Sequence, residues 1–506
     1  MVLEPQSKFS SDAVEELLQK NGPWKLSPKA ASRVSKAAQF VHTVVHQNRP
    51  IYGINTGFGR LAQVRIPEKD LISLQMNLLR SHACGLGAPS PARVVRRLLL
   101  LRVLSLGKGY SGVSQEILQR HFDYLDTRLL PYVPEQGSVG ASGDLAPLAH
   151  LSLTLIGEGD FVDSETGALI DAQKVLRKHK WKAVPIRPKE GLALTNGTQF
   201  SLAWALEVLR QLKQVWPWVL DAAALSVEGH QATSAVYLDK IHQLKDHPYQ
   251  IEIAKEMMKR LKASEHMKAH RDCDRVQDAY SFRCIPQVLG PCLSLIEKAD
   301  ELLTGEINSV SDNPIIFAED KEILSCGHFH AQGVSMACDL LSMAMTTIAN
   351  LSERRIDQLV NPLTSRHSGF LASNPGVESG LMIVQTAAAS LASENKTLVH
   401  PASADTISTN GNQEDHVSMA PWAARKALMI LGNLRKIVAS EILCSIRSCV
   451  LESTRTGKRF SGFVEKKLAS LAEDVPEAFQ SGDRSFSKDW TAIEKLIARE
   501  DHESFR

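Results

Sequence analysis

The chain has 506 residues, of which 43% are hydrophobic and 23% charged, a composition typical of a globular protein with a large core. Its net charge of +2, with basic residues spread along the chain, gives no electrostatic basis for binding nucleic acid or an anionic membrane. Eight cysteines in so long a chain do not make a disulfide framework.

The N-terminal segment MVLEPQSKFSSDAVEELL has no basic region followed by an apolar one, so we expect no signal peptide. The most apolar stretch, residues 333–351, carries Asp339 and several hydroxyl side chains, which argue against a lipid-facing span. We therefore expect a cytoplasmic protein whose partners include neither a membrane nor a nucleic acid.

Apolar residues recur at helical spacing along most of the chain, which predicts an all-α, mainly helical fold. Three segments keep this spacing over roughly 25 or more residues: 201–231, where Pro217 should introduce a kink, 332–360 and 421–454. Strand signals are sparse, and only residues 167–176 and 313–324 resemble pieces of hairpins.

The predicted organisation has three consecutive parts. Residues 1–200 form a loop-rich N-terminal region, residues 201–474 form a central bundle of long helices, and residues 475–506 form a loosely attached C-terminal tail. Long helices with interleaved Ala, Ser and Gly are typical of a bundle shared between subunits. Three of the cysteines lie within these apolar patterns and should act as small buried hydrophobes: Cys338, Cys444 and Cys449.

The segment GSVGASGDLAPLAH, residues 137–150, interrupts the helical pattern with closely spaced glycines. Glycines on both sides of Ala141-Ser142 permit a very tight turn. In such a turn the Gly143 nitrogen can attack the Ala141 carbonyl carbon, and loss of one water closes a five-membered ring. Loss of the Ser142 hydroxyl as a second water then leaves an electrophilic methylidene. A helix-capping loop without chemistry and a phosphate cradle are the alternatives. No Lys-Ser/Thr pair follows the glycines, which disfavours the cradle.

This segment resembles the signature of the histidine and phenylalanine ammonia-lyase family, whose Ala-Ser-Gly cyclises to 4-methylideneimidazol-5-one (MIO). The resemblance covers nearly the whole chain, because the other polar, Gly-rich islands match the family in the same order. These islands are IYGINTGFGRL, NLLRSHACGLG, LALTNGTQFS, RVQDAYSFRCIPQVLG, EINSVSDNPI, LSCGHFHAQGVSM and TNGNQEDHVSM.

The resemblance implies an MIO group formed from Ala141, Ser142 and Gly143 without an external cofactor. It also implies ammonia elimination, in which the substrate amine adds to the methylidene, a base removes a β-proton and the amine leaves. A homotetramer with active sites shared between subunits is implied as well.

Two positions indicate the substrate class. Ser81-His82 resembles the pair found in the histidine-using members, where relatives that use tyrosine or phenylalanine carry His-Leu or Phe-Leu. Glu414 stands where those relatives typically have Gln. An imidazole offers one donor and one acceptor nitrogen, which suit a carboxylate and a histidine. We therefore expect L-histidine as substrate and trans-urocanate as product, the first step of histidine degradation.

The resemblance also assigns roles at the reacting atoms. Tyr52 matches the mobile-loop tyrosine that acts at the β-carbon, and as a base it would need a pKa lowered by the electropositive MIO site. Tyr280 and Asn196 match residues that contact and polarise MIO, with Asn196 as donor to its carbonyl oxygen. Glu414 either binds the imidazole or serves as the base, and the sequence leaves both roles open.

The remaining assignments concern substrate binding. Arg283 matches the residue that pairs with the substrate carboxylate, where its planar guanidinium allows a bidentate contact. Asn313 is expected to assist it, and Gln277 should share a helical face with Tyr280 and Arg283. Phe329, together with His82 and Glu414, completes the predicted pocket.

The chain departs from the family pattern at two places. His328 replaces the usual Asn of a Gly-Asn-Phe-His loop, which could change the pocket rim, and Ala279 stands where Pro is common. Cys326, His328 and His330 superficially resemble metal ligands, but no second ligand cluster has suitable spacing, and we expect no metal. The alternatives in function are an MIO-dependent aminomutase, a tyrosine or phenylalanine ammonia-lyase, and a non-catalytic helical scaffold.

Overall fold

The structure, a computed structural model, describes residues 1–20, 22–45, 50–266 and 276–499. Helices account for most of these residues, which confirms the predicted mainly helical fold. The α-helices are α1 (Ser11–Leu18), α2 (Pro28–Val45), α3 (Leu71–His82), α4 (Ala92–Leu106), α5 (Gln115–Leu125), α6 (Leu145–Leu153), α7 (Ala172–His179), α8 (Glu190–Thr195), α9 (Gln199–Gly229), α10 (Asp239–His242), α11 (Pro248–Arg260), α12 (Tyr280–Arg283), α13 (Ile285–Ile307), α14 (Gln332–Val360), α15 (Met382–Leu398), α16 (Ala420–Thr456), α17 (Gly462–Asp474) and α18 (Phe486–Ala498).

Short strands pair into small sheets beside these helices. The described strands are β1 (Val2–Leu3), β2 (Lys25–Leu26), β3 (Leu86–Pro89), β4 (Leu129–Pro131), β5 (Pro134–Gln136), β6 (Asp160–Asp163), β7 (Leu169–Asp171), β8 (Ile315–Phe317) and β9 (Glu322–Leu324). The pairs β1–β2 and β3–β5, the trio β4–β6–β7 and the pair β8–β9 form the sheets. Both predicted hairpin pieces are confirmed: residues 313–324 form the hairpin β8–β9, and within residues 167–176 the strand β7 pairs antiparallel with the preceding β6 and is followed by α7.

The three long helices lie where the apolar spacing predicts them. They are α9, α14 and α16, and α9 continues through Pro217 without interruption. Among the described helices, α14 alone has the length and composition of a membrane-crossing helix, and 67% of its apolar window is buried within the chain. The cysteines predicted to be buried in these helices are buried.

The chain divides into two compact units whose residue ranges alternate along the sequence. Unit 1 contains residues 1–207, 299–339 and 401–425, and unit 2 contains residues 208–298, 340–400 and 426–506. This division differs from the three consecutive parts expected from the sequence. The reason is that four of the five boundaries fall inside the long helices α9, α13, α14 and α16, so each of these helices supplies residues to both units.

The expectation of a loosely attached C-terminal tail is wrong for the described residues up to 499. Ile493 and Ile497 of α18 are fully buried within unit 2. The Trp490 indole N–H donates to the Lys436 carbonyl at 2.8 Å, and Arg435 pairs with Glu494 at 3.4 Å. The break in the apolar pattern near residue 480 therefore marks a turn between packed helices.

Unit 1 is built around α4, whose sequence LLLLRVLSL is apolar on nearly every side and is therefore buried all round. Helix α4 packs on α5 and α1, while α3 packs on α6 and α8. Burying α4 also buries Arg97 and Arg102, which need internal partners. Arg97 pairs with Glu15 at 2.6 Å and with Glu207 at 2.8 Å.

Candidate active site

The glycine-rich loop of residues 137–143 connects β5 to α6, and its backbone requires glycine. Gly137, Gly140 and Gly143 have φ values of +116°, +70° and +80°, in the left-handed region that other residues rarely adopt. A Cβ atom on Gly143 would lie 2.2 Å from the Gly197 carbonyl oxygen. The loop is therefore as tight as the sequence predicts, with its last glycine pressed against a neighbouring backbone.

Two other segments hold this loop by backbone hydrogen bonds. The Asp144 N–H donates to the Gly197 carbonyl at 2.8 Å, and the Met419 N–H donates to the Val139 carbonyl at 2.9 Å. The Asp144 carboxylate, fully buried, accepts from the Ser201 N–H at 2.8 Å and also from its hydroxyl. Burial raises the Asp144 pKa to about 6, against these hydrogen bonds.

A cavity of about 910 Å³ opens beside the loop, and every residue that lines it belongs to unit 1. Six of the eight Gly-rich islands meet there although they are far apart along the chain, whereas the islands that carry His82 and Arg283 do not line the cavity. The predicted site residues that line the cavity are Tyr52, Ala141, Ser142, Asn196, Asn313, Phe329 and Glu414.

Glu414 contacts the serine that the family resemblance assigns to MIO. The Ser142 hydroxyl donates to Glu414 Oε1 at 2.8 Å, and the Thr409 hydroxyl donates to Oε2 at 2.8 Å. The carboxylate is thus fixed at the hydroxyl that ring formation would remove. From this position it can accept a hydrogen bond or a proton from a molecule held at residue 142.

Tyr52 also faces the cavity, and the residues around it act on the pKa of its phenol. Burial raises its pKa, the Gly59 N–H that donates to its hydroxyl at 3.3 Å lowers it, and the charge of Glu414 raises it further. The residues of this chain therefore favour the protonated phenol. The lowered pKa expected of a base would have to come from a further positive charge, which the family resemblance assigns to the MIO site.

His82 ends α3 and is partly buried, and it does not line the cavity. Its Nδ1 lies 3.0 Å from the Ser81 hydroxyl. Burial lowers its pKa, while the Leu78 carbonyl and the charge of Glu414 raise it. The carboxylate that touches Ser142 thus also acts on His82, and the two residues that the sequence linked to substrate choice are electrostatically coupled.

Asn196 follows α8 and is held by groups that can only accept hydrogen bonds. Its Nδ2 donates to the Asn313 carbonyl at 2.8 Å and more weakly to Asp312 Oδ1 at 3.5 Å. Asp312 Oδ1 also accepts from the Asn313 N–H at 2.7 Å, and Asp312 Oδ2 accepts from Lys189 Nζ at 2.7 Å. Asn196 Oδ1 is buried and, among the described residues, has no hydrogen-bond partner.

Arg102 supports the same segment from α4. Its guanidinium donates to the Asn196 carbonyl and to Gln199 Oε1, both at 2.8 Å, and to the Ala193 carbonyl at 2.5 Å. Burial lowers its pKa to about 10, while the charges of Asp312 and Asp144 raise it. Sequence reasoning missed Arg102, Lys189 and Asp312. An arginine inside the run LLLLRVLSL was the available signal, but it does not identify the partners.

The predicted carboxylate-binding group lies in unit 2 and forms a cluster of its own. Arg283 donates to Gln277 Oε1, and its guanidinium lies 5.0 Å from the centroid of the Tyr280 ring. Helix α12 has only four residues, so Gln277 stands outside it rather than on a shared helical face. Tyr280 is 72% exposed in the single chain.

The loop with the unusual His328 separates two cavities of unit 1. Phe329 lines the large cavity, whereas His328 lines a neighbouring one of about 530 Å³ together with Glu306. Burial raises the Glu306 pKa, and the charge of His328 opposes that shift. In the part of the chain that the structure describes, no three His, Cys, Asp or Glu side chains are grouped as metal ligands would be.

Comparisons with known proteins cover nearly the whole chain. The aromatic amino acid lyase family matches residues 9–472. A histidine ammonia-lyase from Vibrio cholerae is 43% identical over 94% of this chain and 91% of its own length, and one from Burkholderia cenocepacia is 42% identical over 94% and 92%. Among solved structures, the histidine ammonia-lyase of Trypanosoma cruzi is similar with a TM-score of 0.88 and 36% identity over 98% of this chain and 93% of its own. The phenylalanine aminomutase of Pantoea agglomerans is similar with a TM-score of 0.91 and 28% identity over 98% and 99%.

Proposed function

Since the chain belongs to the aromatic amino acid lyase family, we propose that it eliminates ammonia from L-histidine to give trans-urocanate. The histidine-specific relatives are those with the higher identity, 42–43% over most of the chain, against 28% for the aminomutase. The reaction would use MIO formed within the chain from Ala141, Ser142 and Gly143, with no external cofactor.

The observation that carries this proposal is the 2.8 Å hydrogen bond between the Ser142 hydroxyl and Glu414. Glu414 is partly buried, and a carboxylate at this point suits a substrate ring that carries an N–H donor, because a bound ring without a donor would shut the carboxylate off from water without replacing the hydrogen bond. A phenyl ring has no such donor. Phe329, which lines the same cavity, supplies the apolar surface that either ring would need.

The local structure fits an MIO group at residues 141–143. The left-handed Gly143 has no side chain to hinder its nitrogen, and the backbone on both sides of the loop is fixed by hydrogen bonds. The group would supply an electrophilic methylidene that makes the substrate amine a better leaving group. Tyr52 or Glu414 would then take the β-proton, and the raised pKa of Tyr52 makes that choice sensitive to the charge of the site.

We propose that Arg283 binds the substrate carboxylate and that Asn313 donates a further hydrogen bond to it. Asn313 uses its Oδ1 to accept from the Cys326 N–H at 2.8 Å, which leaves its NH₂ group to donate to a carboxylate. Tyr280 and Gln277 would complete this part of the site. Asn313 belongs to unit 1, whereas Gln277, Tyr280 and Arg283 belong to unit 2, and the proposal follows the family resemblance in bringing them together in one active site of the assembly.

A homotetramer with shared active sites is part of the proposal. Its support is the long helices α14 and α16, which expose large apolar side chains in the single chain: Met336, Met343, Trp422 and Met429. Mixing an inactive Tyr52→Phe chain with an inactive Arg283→Ala chain should restore part of the activity, if the two residues of one site come from different subunits. A fully active monomer in solution would contradict the assembly.

We also place the protein in the cytoplasm.

The direct test of the function is incubation with L-histidine while urocanate absorbance and released ammonia are recorded. The proposal predicts equal amounts of urocanate and ammonia. An MIO-dependent aminomutase, which the similarity to the Pantoea protein keeps as the second candidate, would instead give a β-amino acid without ammonia. Turnover of tyrosine or phenylalanine in preference to histidine would overturn the choice of substrate.

A further inference from the structure

The ion pair between Lys189 and Asp312 lies directly behind the cavity wall, and both side chains are almost completely buried. The two charged groups are 2.7 Å apart, and their side chains are 0% and 3% exposed. A buried ion pair is weak evidence for stability, because desolvation of both charges opposes their attraction. Stability alone therefore does not explain why an ion pair lies at this position beside the proposed reaction site.

Lys189 and Asn196 stand at the two ends of the short helix α8, and Asp312 contacts both side chains. Lys189 has φ +76° and ψ −30°, a left-handed conformation that is unfavourable for a residue with a side chain. Backbone strain of this kind persists where the surrounding structure determines it, and often at functional sites. The Lys189 ammonium folds back along α8 to the carboxylate that also contacts Asn196.

The orientation of the Asn196 amide follows from these contacts. An amide NH₂ can only donate, and both the Asn313 carbonyl and the Asp312 carboxylate can only accept. The NH₂ group must therefore face these two acceptors, and the amide oxygen must face away from them. Asn196 lines the cavity, and its buried Oδ1 has no hydrogen-bond partner among the described residues. A buried acceptor without a donor calls for an explanation, and at the wall of a cavity a bound molecule can supply the missing donor.

We propose that the Lys189–Asp312 pair positions Asn196 so that its amide oxygen accepts a hydrogen bond from the amino group of the substrate. The proposal rests on the function proposed above, because an amino-acid substrate held at Ser142 brings its amine to this wall of the cavity. It gives Asn196 an acceptor role, different from the donor role to MIO that the family resemblance implies. Lys189 and Asp312 are positioning residues, since neither lines the cavity.

The test measures binding rather than turnover. In a Ser142→Ala chain, which cannot form the methylidene, calorimetry compares L-histidine with 3-(imidazol-4-yl)propanoate, which lacks only the amine. Asp312→Asn is introduced into this chain. The amide side chain that replaces the Asp312 carboxylate has one acceptor oxygen instead of two. Lys189 Nζ, Asn196 Nδ2 and the Asn313 N–H must share that oxygen, so the Asn196 amide is no longer held in one orientation.

The expected result is a roughly 10- to 100-fold weaker binding of L-histidine, the usual effect of losing a hydrogen bond to a charged group. The amine-free analogue should bind as before, within about twofold, because its contacts do not involve Asn196. Adding Lys189→Met to Asp312→Asn should restore most of the affinity for L-histidine, because the single oxygen can then turn toward residues 196 and 313.

The matched control is Glu319→Gln, which removes one carboxylate from the exposed Lys36–Glu319 pair and should change neither affinity. If Asp312→Asn does not fold, Asn196→Ala carries the same comparison, because it removes the acceptor directly. Equal weakening of both ligands, or no weakening of either, in the variant that folds would overturn the inference. A Ser142→Ala parent that binds neither ligand would instead contradict the proposed function, and the inference with it.

Discussion

The cavity wall and the buried layer behind it differ in how their polar groups are arranged. The wall carries Tyr52, Ser142 and Glu414 on loops, with groups directed toward the space that a substrate would fill. The layer carries Arg102 and Lys189, which are buried and bind carbonyls, an amide and a carboxylate within unit 1. The wall thus presents polar groups to the cavity, whereas the layer holds the segment of one wall residue, Asn196.

This difference implies that substitutions in the two regions act on different quantities. A change in the wall should alter kcat, KM or substrate choice while the free energy of unfolding stays nearly constant, since loop groups rarely hold a core together. A change in the layer should in addition lower the free energy of unfolding, because it leaves buried groups without partners, beyond any effect that it transmits to the wall through Asn196. Each of the following variants tests this separation.

Tyr52→Phe should produce the largest effect in the wall. Loss of a general acid or base typically lowers the rate by about 10²- to 10⁴-fold, and we expect kcat/KM for histidine to fall within that range. The melting temperature should stay within about 2 °C of the parent. If Tyr52 is the base, activity of the parent should rise with pH, since burial raises the pKa of the phenol that must lose its proton. An unchanged kcat/KM in Tyr52→Phe would show that another group acts as the base, and Glu414 would then be the first candidate.

Arg102→Met should be the most damaging change in the layer. It leaves the Asn196 and Ala193 carbonyls and the Gln199 amide oxygen without their buried donor. We expect a loss of about 3 kcal/mol or more in the free energy of unfolding, measured by urea denaturation. Arg93→Met on the same helix is the control: Arg93 is 40% exposed and should cost under about 1 kcal/mol. Similar losses in the free energy of unfolding for Arg102→Met and Arg93→Met would show that the cost of removing an arginine from this helix does not depend on its burial.

His121, fully buried in α5, should make the layer sensitive to acid. Burial is the main cause that lowers its pKa to about 4, and the charges of Arg102 and Arg120 add to it. An unfolded histidine binds a proton near pH 6.5, so the unfolded state gains protons first as the pH falls. Stability that is present above pH 6.5 is therefore lost between about pH 6.5 and 4, by about 3 kcal/mol.

The measurement is the free energy of unfolding of the parent and of His121→Gln across this range. The difference between the two should shrink as the pH falls from 6.5 to 4. Comparing them also cancels Asp144, whose pKa of about 6 lies above its ordinary value and acts with the opposite sign. A difference that does not change with pH would mean that His121 is protonated in the folded state.

The smallest expected effect concerns substrate choice in the wall. Replacing Ser81-His82 by His-Leu together with Glu414→Gln removes the groups proposed to pair with the two ring nitrogens of histidine, which a tyrosine ring lacks. The ratio of kcat/KM for histidine to that for tyrosine should narrow by roughly 10- to 100-fold, the equivalent of one or two buried unpaired groups. Full reversal is not expected, because Phe329 also shapes the pocket. An unchanged ratio would place selectivity outside His82 and Glu414.

The wall was largely predictable from the sequence, whereas the layer was not. Glycines that need left-handed backbone angles, as at Gly140 and Gly143, leave a visible pattern, and the long helices keep a regular apolar spacing. The Lys189–Asp312 pair joins residues 123 positions apart, and no spacing rule brings them together. The pKa of Tyr52 was also inaccessible, because it depends on burial that only the folded chain determines.

The central claim is that this chain makes its own electrophile from residues 141–143 and uses it on histidine. Peptide mass spectrometry of protein that converts L-histidine to urocanate tests it most directly. The account predicts that the peptide containing Ala141, Ser142 and Gly143 is lighter than its sequence by two water molecules, and that Ser142→Ala abolishes both the loss of the second water and the activity. An unmodified Ala-Ser-Gly peptide from fully active protein would contradict the account.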